Sequence, residues 1–124
     1  MRARFLVVAV LAVLAACTDA GPRRGPGTVT GTVQSPNGDE GAAVVLLVGE
    51  GVVEVRSVGG TDAYATTDGD MTRVVLVNLE GGTLAFELDL ADASRPPVTS
   101  LGQVAGPDDQ LRPDLSAYRV EWGG

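Results

Sequence analysis

Residues 83–90 read Thr83-Leu84-Ala85-Phe86-Glu87-Leu88-Asp89-Leu90. In an extended chain Leu84, Phe86, Leu88 and Leu90 lie on one side and Ala85, Glu87 and Asp89 on the other. A side-chain period of two marks a strand with one face in a core and the other in water. The same reading extends outward. Thr28–Ser35 sets Val29, Gly31 and Val33 against Thr and Gln, and Val52–Val58 sets Val53 and Val55 against Glu54 and Arg56. Arg73–Val77 is rich in valine, Val98–Ala105 follows Pro96-Pro97, and Tyr118, Val120 and Trp122 alternate with Arg119 and Glu121. Ala63–Thr67 is a further short candidate. Ala42–Val48 is apolar throughout, as expected of a strand covered on both faces.

Turn residues separate these runs: Pro36-Asn37-Gly38-Asp39, Gly49-Glu50-Gly51, Gly59-Gly60, Asp68-Gly69-Asp70, Gly81-Gly82 and Gly106-Pro107-Asp108. Glycine supplies positive φ there, and Asn, Asp and Pro pre-set the bend. Short strands at intervals of about ten residues predict an all-β fold, a sandwich of seven or eight strands over residues 28–124. Pro113–Ser116 is read as one helical turn, with Leu111 and Leu115 closing an end of the core.

Composition excludes several chemistries. Among 124 residues there are nine arginines, no lysine, no histidine and one cysteine, against 16 acids, for a net charge of −7. Without histidine there is no Ser-His-Asp triad and no imidazole ligand. One cysteine forms no internal disulfide and no thiolate zinc site. Residues 28–124 hold five arginines against fifteen acids, a net charge of −10. Such a domain repels nucleic acid and anionic surfaces, so it is expected to stand off a membrane.

The N-terminus reads differently. Arg2 and Arg4 precede the 12-residue apolar run Phe5–Ala16. That run fits the hydrophobic region of a signal peptide and is too short to span a bilayer core of ~30 Å. It ends in Leu14-Ala15-Ala16-Cys17. This segment resembles the lipobox of bacterial lipoproteins. The resemblance implies cleavage between Ala16 and Cys17, and acyl chains carried by Cys17 as the new first residue. Each buried lipid CH₂ contributes about 0.8 kcal/mol, and more than one chain makes a stable anchor. The expected organisation is a signal peptide at 1–16, a lipidated cysteine and flexible tether at 17–27, and the sandwich at 28–124. The expected location is the bacterial cell envelope, exported and held on a membrane by lipid. Thr18, where an Asp would signal retention, points to the outer membrane under the enteric rule. Thr18–Gly27 is all Gly, Pro, Arg and small or polar residues, as in a soluble linker.

A second resemblance lies near the C-terminus. Leu111-x-Pro113 followed by Tyr118-x-Val120 is similar to the tyrosine corner of fibronectin type III and immunoglobulin-like domains. It implies a Tyr118 hydroxyl bonded to backbone a few residues upstream. The Pro-to-Tyr spacing is one residue longer than the fibronectin form, and those families add another strand after this one. Gly82-x-Leu84 before an alternating strand is similar to cohesin-type sandwiches. Together these resemblances imply an immunoglobulin-like sandwich.

The remaining chemistry rests on acids and aromatics. Glu50, Glu54, Glu87 and Asp89 are the candidates for a paired-carboxylate hydrolase, but alternation turns Glu87 and Asp89 outward. Asp62, Asp68, Asp70, Asp108 and Asp109 are loop acids of the kind that bind calcium, yet Asp and Gly also simply make turns. Tyr64 is the one aromatic expected at the surface, a weak platform for carbohydrate. The arginines are scattered as surface charge partners. The expectation is a non-catalytic module, without metal or cofactor, that binds an envelope protein or serves a structural role. A carbohydrate- or calcium-binding module is the alternative, and a carboxylate hydrolase is a more distant one.

Overall fold

A computed structural model describes residues 24–123. The expected signal peptide at 1–16, the expected lipobox Leu14, Ala15, Ala16 and Cys17, and most of the expected tether lie outside the described residues. The described chain is all-β. Its eight strands are β1 (Gly27–Gln34), β2 (Glu40–Val48), β3 (Val52–Ser57), β4 (Asp62–Asp68), β5 (Met71–Gly82), β6 (Ala85–Leu90), β7 (Val98–Ala105) and β8 (Arg119–Gly123). They form two four-stranded antiparallel sheets, ordered β3-β6-β1-β8 and β4-β5-β2-β7. No helix among the described residues is long and apolar enough to cross a membrane.

Six of the seven connections cross between sheets, and only β4–β5 is a hairpin within one sheet. Its two-residue turn begins at Gly69, with φ 67°, as a hairpin that follows strand twist requires. The neighbours β2-β5-β4 and β3-β6 match the B-E-D and C-F order of immunoglobulin domains. The flanks are exchanged. β1 lies on β6, where those domains place their last strand, and β7 lies on β2, where they place their first.

The core is filled from the inward positions that alternation identifies, except Val53, which is 66 % exposed because β3 bulges between Val52 and Glu54. Leu84, Phe86 and Leu88 of the decisive stretch are fully buried, together with Val45, Leu47, Val74 and Leu76 from the opposite sheet. Tyr118 and Val120 join them, and Trp122 packs against the cluster. Phe86 and Trp122 meet edge to face at 5.8 Å and 79°, a favoured aromatic geometry. Gly31 lies between them in register, paired to Phe86 on one side and Trp122 on the other. A Cβ there would fall 2.7 Å from the Phe86 ring and 2.8 Å from the Trp122 ring, so the aromatic pair requires this glycine.

Several local expectations change. β5 continues to Gly82 instead of turning at Gly81-Gly82, because Gly82 pairs with Glu40 beyond a bulge of β5 between Val77 and Gly82. Residues 113–116 make no helical turn. The Tyr118 amide donates to the Leu115 carbonyl at 3.0 Å in a simple turn. Leu115 packs on the core, but Leu111 is 62 % exposed because it bridges to Ala105 at the edge of β7. The end of the expected tether is already fixed to the domain. The Gly25 amide donates to Asp92 Oδ1, the Gly25 carbonyl accepts from Ala93, and Gly27 pairs with Leu90.

Candidate functional site

The sandwich has two outer faces, and they are chemically unlike. On the β3-β6-β1-β8 sheet, outward positions are Thr28, Thr30, Thr32, Glu54, Arg56, Glu87, Asp89, Arg119 and Glu121. Arg56 organises the acids. It donates to Asp89 and, at 3.4 Å, to Glu87, and lies 3.9 Å from Glu54. Thr28 donates its hydroxyl to Asp89 at 2.7 Å. The Arg56 guanidinium is the main reason that the Asp89 carboxyl is held below its ordinary range. Glu87 and Asp89 therefore sit together on the outer face as expected, but as acceptors for one cation. Glu50 lies apart, in the β2–β3 turn.

The β4-β5-β2-β7 sheet presents the opposite character. Its centre is β2, whose outward residues are Ala42, Val44, Leu46 and Val48. Opposite them β5 sets Val77, Val75, Arg73 and Met71. β7 sets Ala105, Gln103, Ser100 and Val98 on the other flank. β4 completes the rows with Asp62, Tyr64, Thr66 and Asp68. Among the described residues nothing covers this surface. Val44 and Leu46 are half-buried by neighbours within the sheet, and Tyr64 and Val98 are 61 % and 72 % exposed. The expectation that β2 is covered on both faces is thus corrected. Ala43, Val45 and Leu47 are buried, while the alternate side chains look outward. A shallow depression of about 70 Å³, lined by Val44, Val75, Ala105 and Leu111, dents the upper part of the face.

The loop acids do not converge. Asp62 and Asp68 stand at the two ends of β4, Asp70 is in the hairpin turn, and Asp108 and Asp109 form the turn after β7. No group of three potential metal ligands occurs among the described residues. Asp109 holds its turn with φ 68°, a conformation that Asp tolerates better than most side chains.

The most buried acid is one that the sequence reading passed over. Glu40 opens β2 and is 1 % exposed. Ser35 donates its hydroxyl to Oε2 at 2.5 Å, Tyr118 donates its phenol to the same oxygen, and Arg112 Nε–H donates to Oε1 at 2.9 Å. Asn37 Nδ2 in turn donates to the Tyr118 oxygen at 2.8 Å. Burial pushes the Glu40 carboxyl up, but the three donors outweigh it and hold the group below the usual carboxylate range. The tyrosine-corner expectation is corrected here. Tyr118 precedes an edge strand, and its hydroxyl bonds a side-chain carboxylate in place of upstream backbone. Arg112, read as a surface charge, is the cation of this buried pair. Glu40 is ionised and saturated with donors, so the cluster acts as a clamp. It ties the β1–β2 turn and the β7–β8 connection to the start of β2.

A scan against family models finds no match, and neither a search of curated proteins nor one of solved structures finds any.

Proposed function

We propose that this chain is a lipid-anchored module of the bacterial cell envelope. It is held on a membrane through Cys17 and uses the outer face of the β4-β5-β2-β7 sheet to hold another protein. The observation that carries this reading is the uncovered column Ala42, Val44, Leu46 and Val48. An antiparallel sandwich strand ordinarily pairs an apolar inner side with a polar outer one. Here β2 is apolar on both sides, while the opposite sheet keeps a charged and threonine-rich exterior. A contiguous apolar patch bordered by polar residues marks a surface made for contact. The lipobox Leu14-Ala15-Ala16-Cys17 supports the anchor, and Thr18 supports delivery to the outer membrane. The module is non-catalytic in this reading. The acids that could serve catalysis are engaged by Arg56 and Arg112 or spread over separate turns.

The test uses the full chain in a bacterial host. Detergent-extracted membranes from wild type should give a complex on a native gel larger than the lipoprotein alone. Leu46→Glu should shift it to the size of the free chain, and Thr32→Glu, on the other outer face, should not. A wild-type chain that migrates alone, or an unaltered complex in Leu46→Glu, overturns the docking role.

A further inference from the structure

We infer that the occupant of this face is a cationic amphipathic helix of a partner protein. The inference rests on the docking role proposed above and identifies the chemistry that fits it. Two observations converge. The first is size. Three strand spacings make the face about 14 Å wide, and Ala42 to Val48 make it about 20 Å long. One helix of about 14 residues, roughly 10–12 Å across, fills that area lengthwise.

The second is charge. Among the described residues the outer acids of the β3-β6-β1-β8 sheet lie in ion pairs with arginines of that sheet, four acids to two cations. Glu54, Glu87 and Asp89 share Arg56, and Glu121 pairs with Arg119 at 2.8 Å. Around the apolar face the reverse holds. Asp62 and Asp68 at the ends of β4, Asp70 in the hairpin turn, and Asp108 and Asp109 at the far corner by β7, form no ion pair among the described residues. The face is therefore an apolar strip with acids outside ion pairs on both flanks, Asp108 alone eased by the nearby Arg112 guanidinium, and one cation, Arg73, within it. A helix with an apolar stripe bordered by Lys or Arg on each side is the complement. A second copy of this chain is not, because its own rim would set acid against acid. An anionic bilayer meets the same repulsion.

Residues 24–124 contain both sheets and the core seen among the described residues, so they serve for the test. The probe is a labelled peptide of about 18 residues with a leucine stripe flanked by lysines, long enough to cross the face as a helix. A counterpart carries glutamate in place of lysine. Anisotropy should report binding of the lysine peptide only, weakened by added salt. Leu46→Glu should weaken it roughly tenfold or more, although that change adds a negative charge. Thr32→Glu should leave it unchanged, and Asp62→Asn with Asp68→Asn and Asp109→Asn should weaken it and flatten the salt dependence. Trp122 fluorescence checks that each variant is folded. Binding that Leu46→Glu leaves intact or strengthens would reduce the effect to charge attraction and overturn the inference. So would equal binding of the glutamate peptide. Self-association in sedimentation, abolished by Leu46→Glu, would make a second copy the occupant. Partition onto vesicles of phosphatidylethanolamine and phosphatidylglycerol through the same residue would make it a lipid surface. A Leu46-dependent complex in membranes with no binding of the lysine peptide overturns the helix and leaves the docking role. Peptide binding with no such complex does the opposite.

Discussion

Tyr118→Phe isolates the clamp at the end of the sandwich, because it deletes one oxygen and keeps the buried ring. That oxygen donates to Glu40 and accepts from Asn37 at 2.8 Å. Hydrogen bonds to charged groups contribute about 1.5–3 kcal/mol each, so the loss at neutral pH should be about 2 kcal/mol. For a domain of this size that is a fall in Tm of roughly 10 °C. The loss should depend on pH. The Glu40 carboxyl is lowered in the folded state, so its stabilisation is complete above the ordinary unfolded pKa of about 4.3. It disappears as pH falls through the lower folded value. The gap between wild type and Tyr118→Phe should therefore be widest near pH 7 and narrow in acid. The chain has one tryptophan, Trp122, packed on Phe86, which gives a direct probe for urea unfolding at each pH. A loss below about 0.5 kcal/mol, within the range of an indifferent surface change, would refute the clamp. So would a loss that is the same at every pH.

Other outcomes follow from packing and from the sequence. Gly31→Ala should cost about 1–3 kcal/mol, because the added methyl meets both rings of the Phe86–Trp122 pair; urea unfolding measures it. Leu46→Glu should change stability by less than about 1 kcal/mol. Leu47→Glu, one residue on and fully buried, should leave the chain unfolded by circular dichroism, since a lone charge in a core costs several kcal/mol. Cys17→Ser should abolish incorporation of labelled palmitate and release the chain from the membrane fraction while the domain remains folded.

Much of the fold was legible because alternation is an unusually direct signal. Leu84, Phe86, Leu88 and Leu90 are all buried, and the Asp68-Gly69-Asp70 turn joins β4 to β5 as its residues imply. Strand order was not legible, since period two says which side chains point inward and nothing about neighbours. Glu40 escaped notice because it follows Pro36-Asn37-Gly38-Asp39 and reads as one more solvated turn residue. Its burial depends on Ser35, Arg112 and Tyr118, and two of these lie more than seventy residues away. The apolar run Ala42–Val48 did announce two apolar faces. Whether the second is covered by the chain itself is a property of the assembled sheets, and the sheets leave it open. The acids flanking that face look like ordinary loop residues until the ion pairs of the other sheet set them apart.

The most direct test of the central claim is photocrosslinking in living cells. A photoreactive side chain placed at Leu46, and separately at Thr32, samples the two outer faces of the chain in its cellular setting. The account predicts a discrete protein adduct from Leu46 and none from Thr32. Adducts from both positions alike, or from neither, would contradict it.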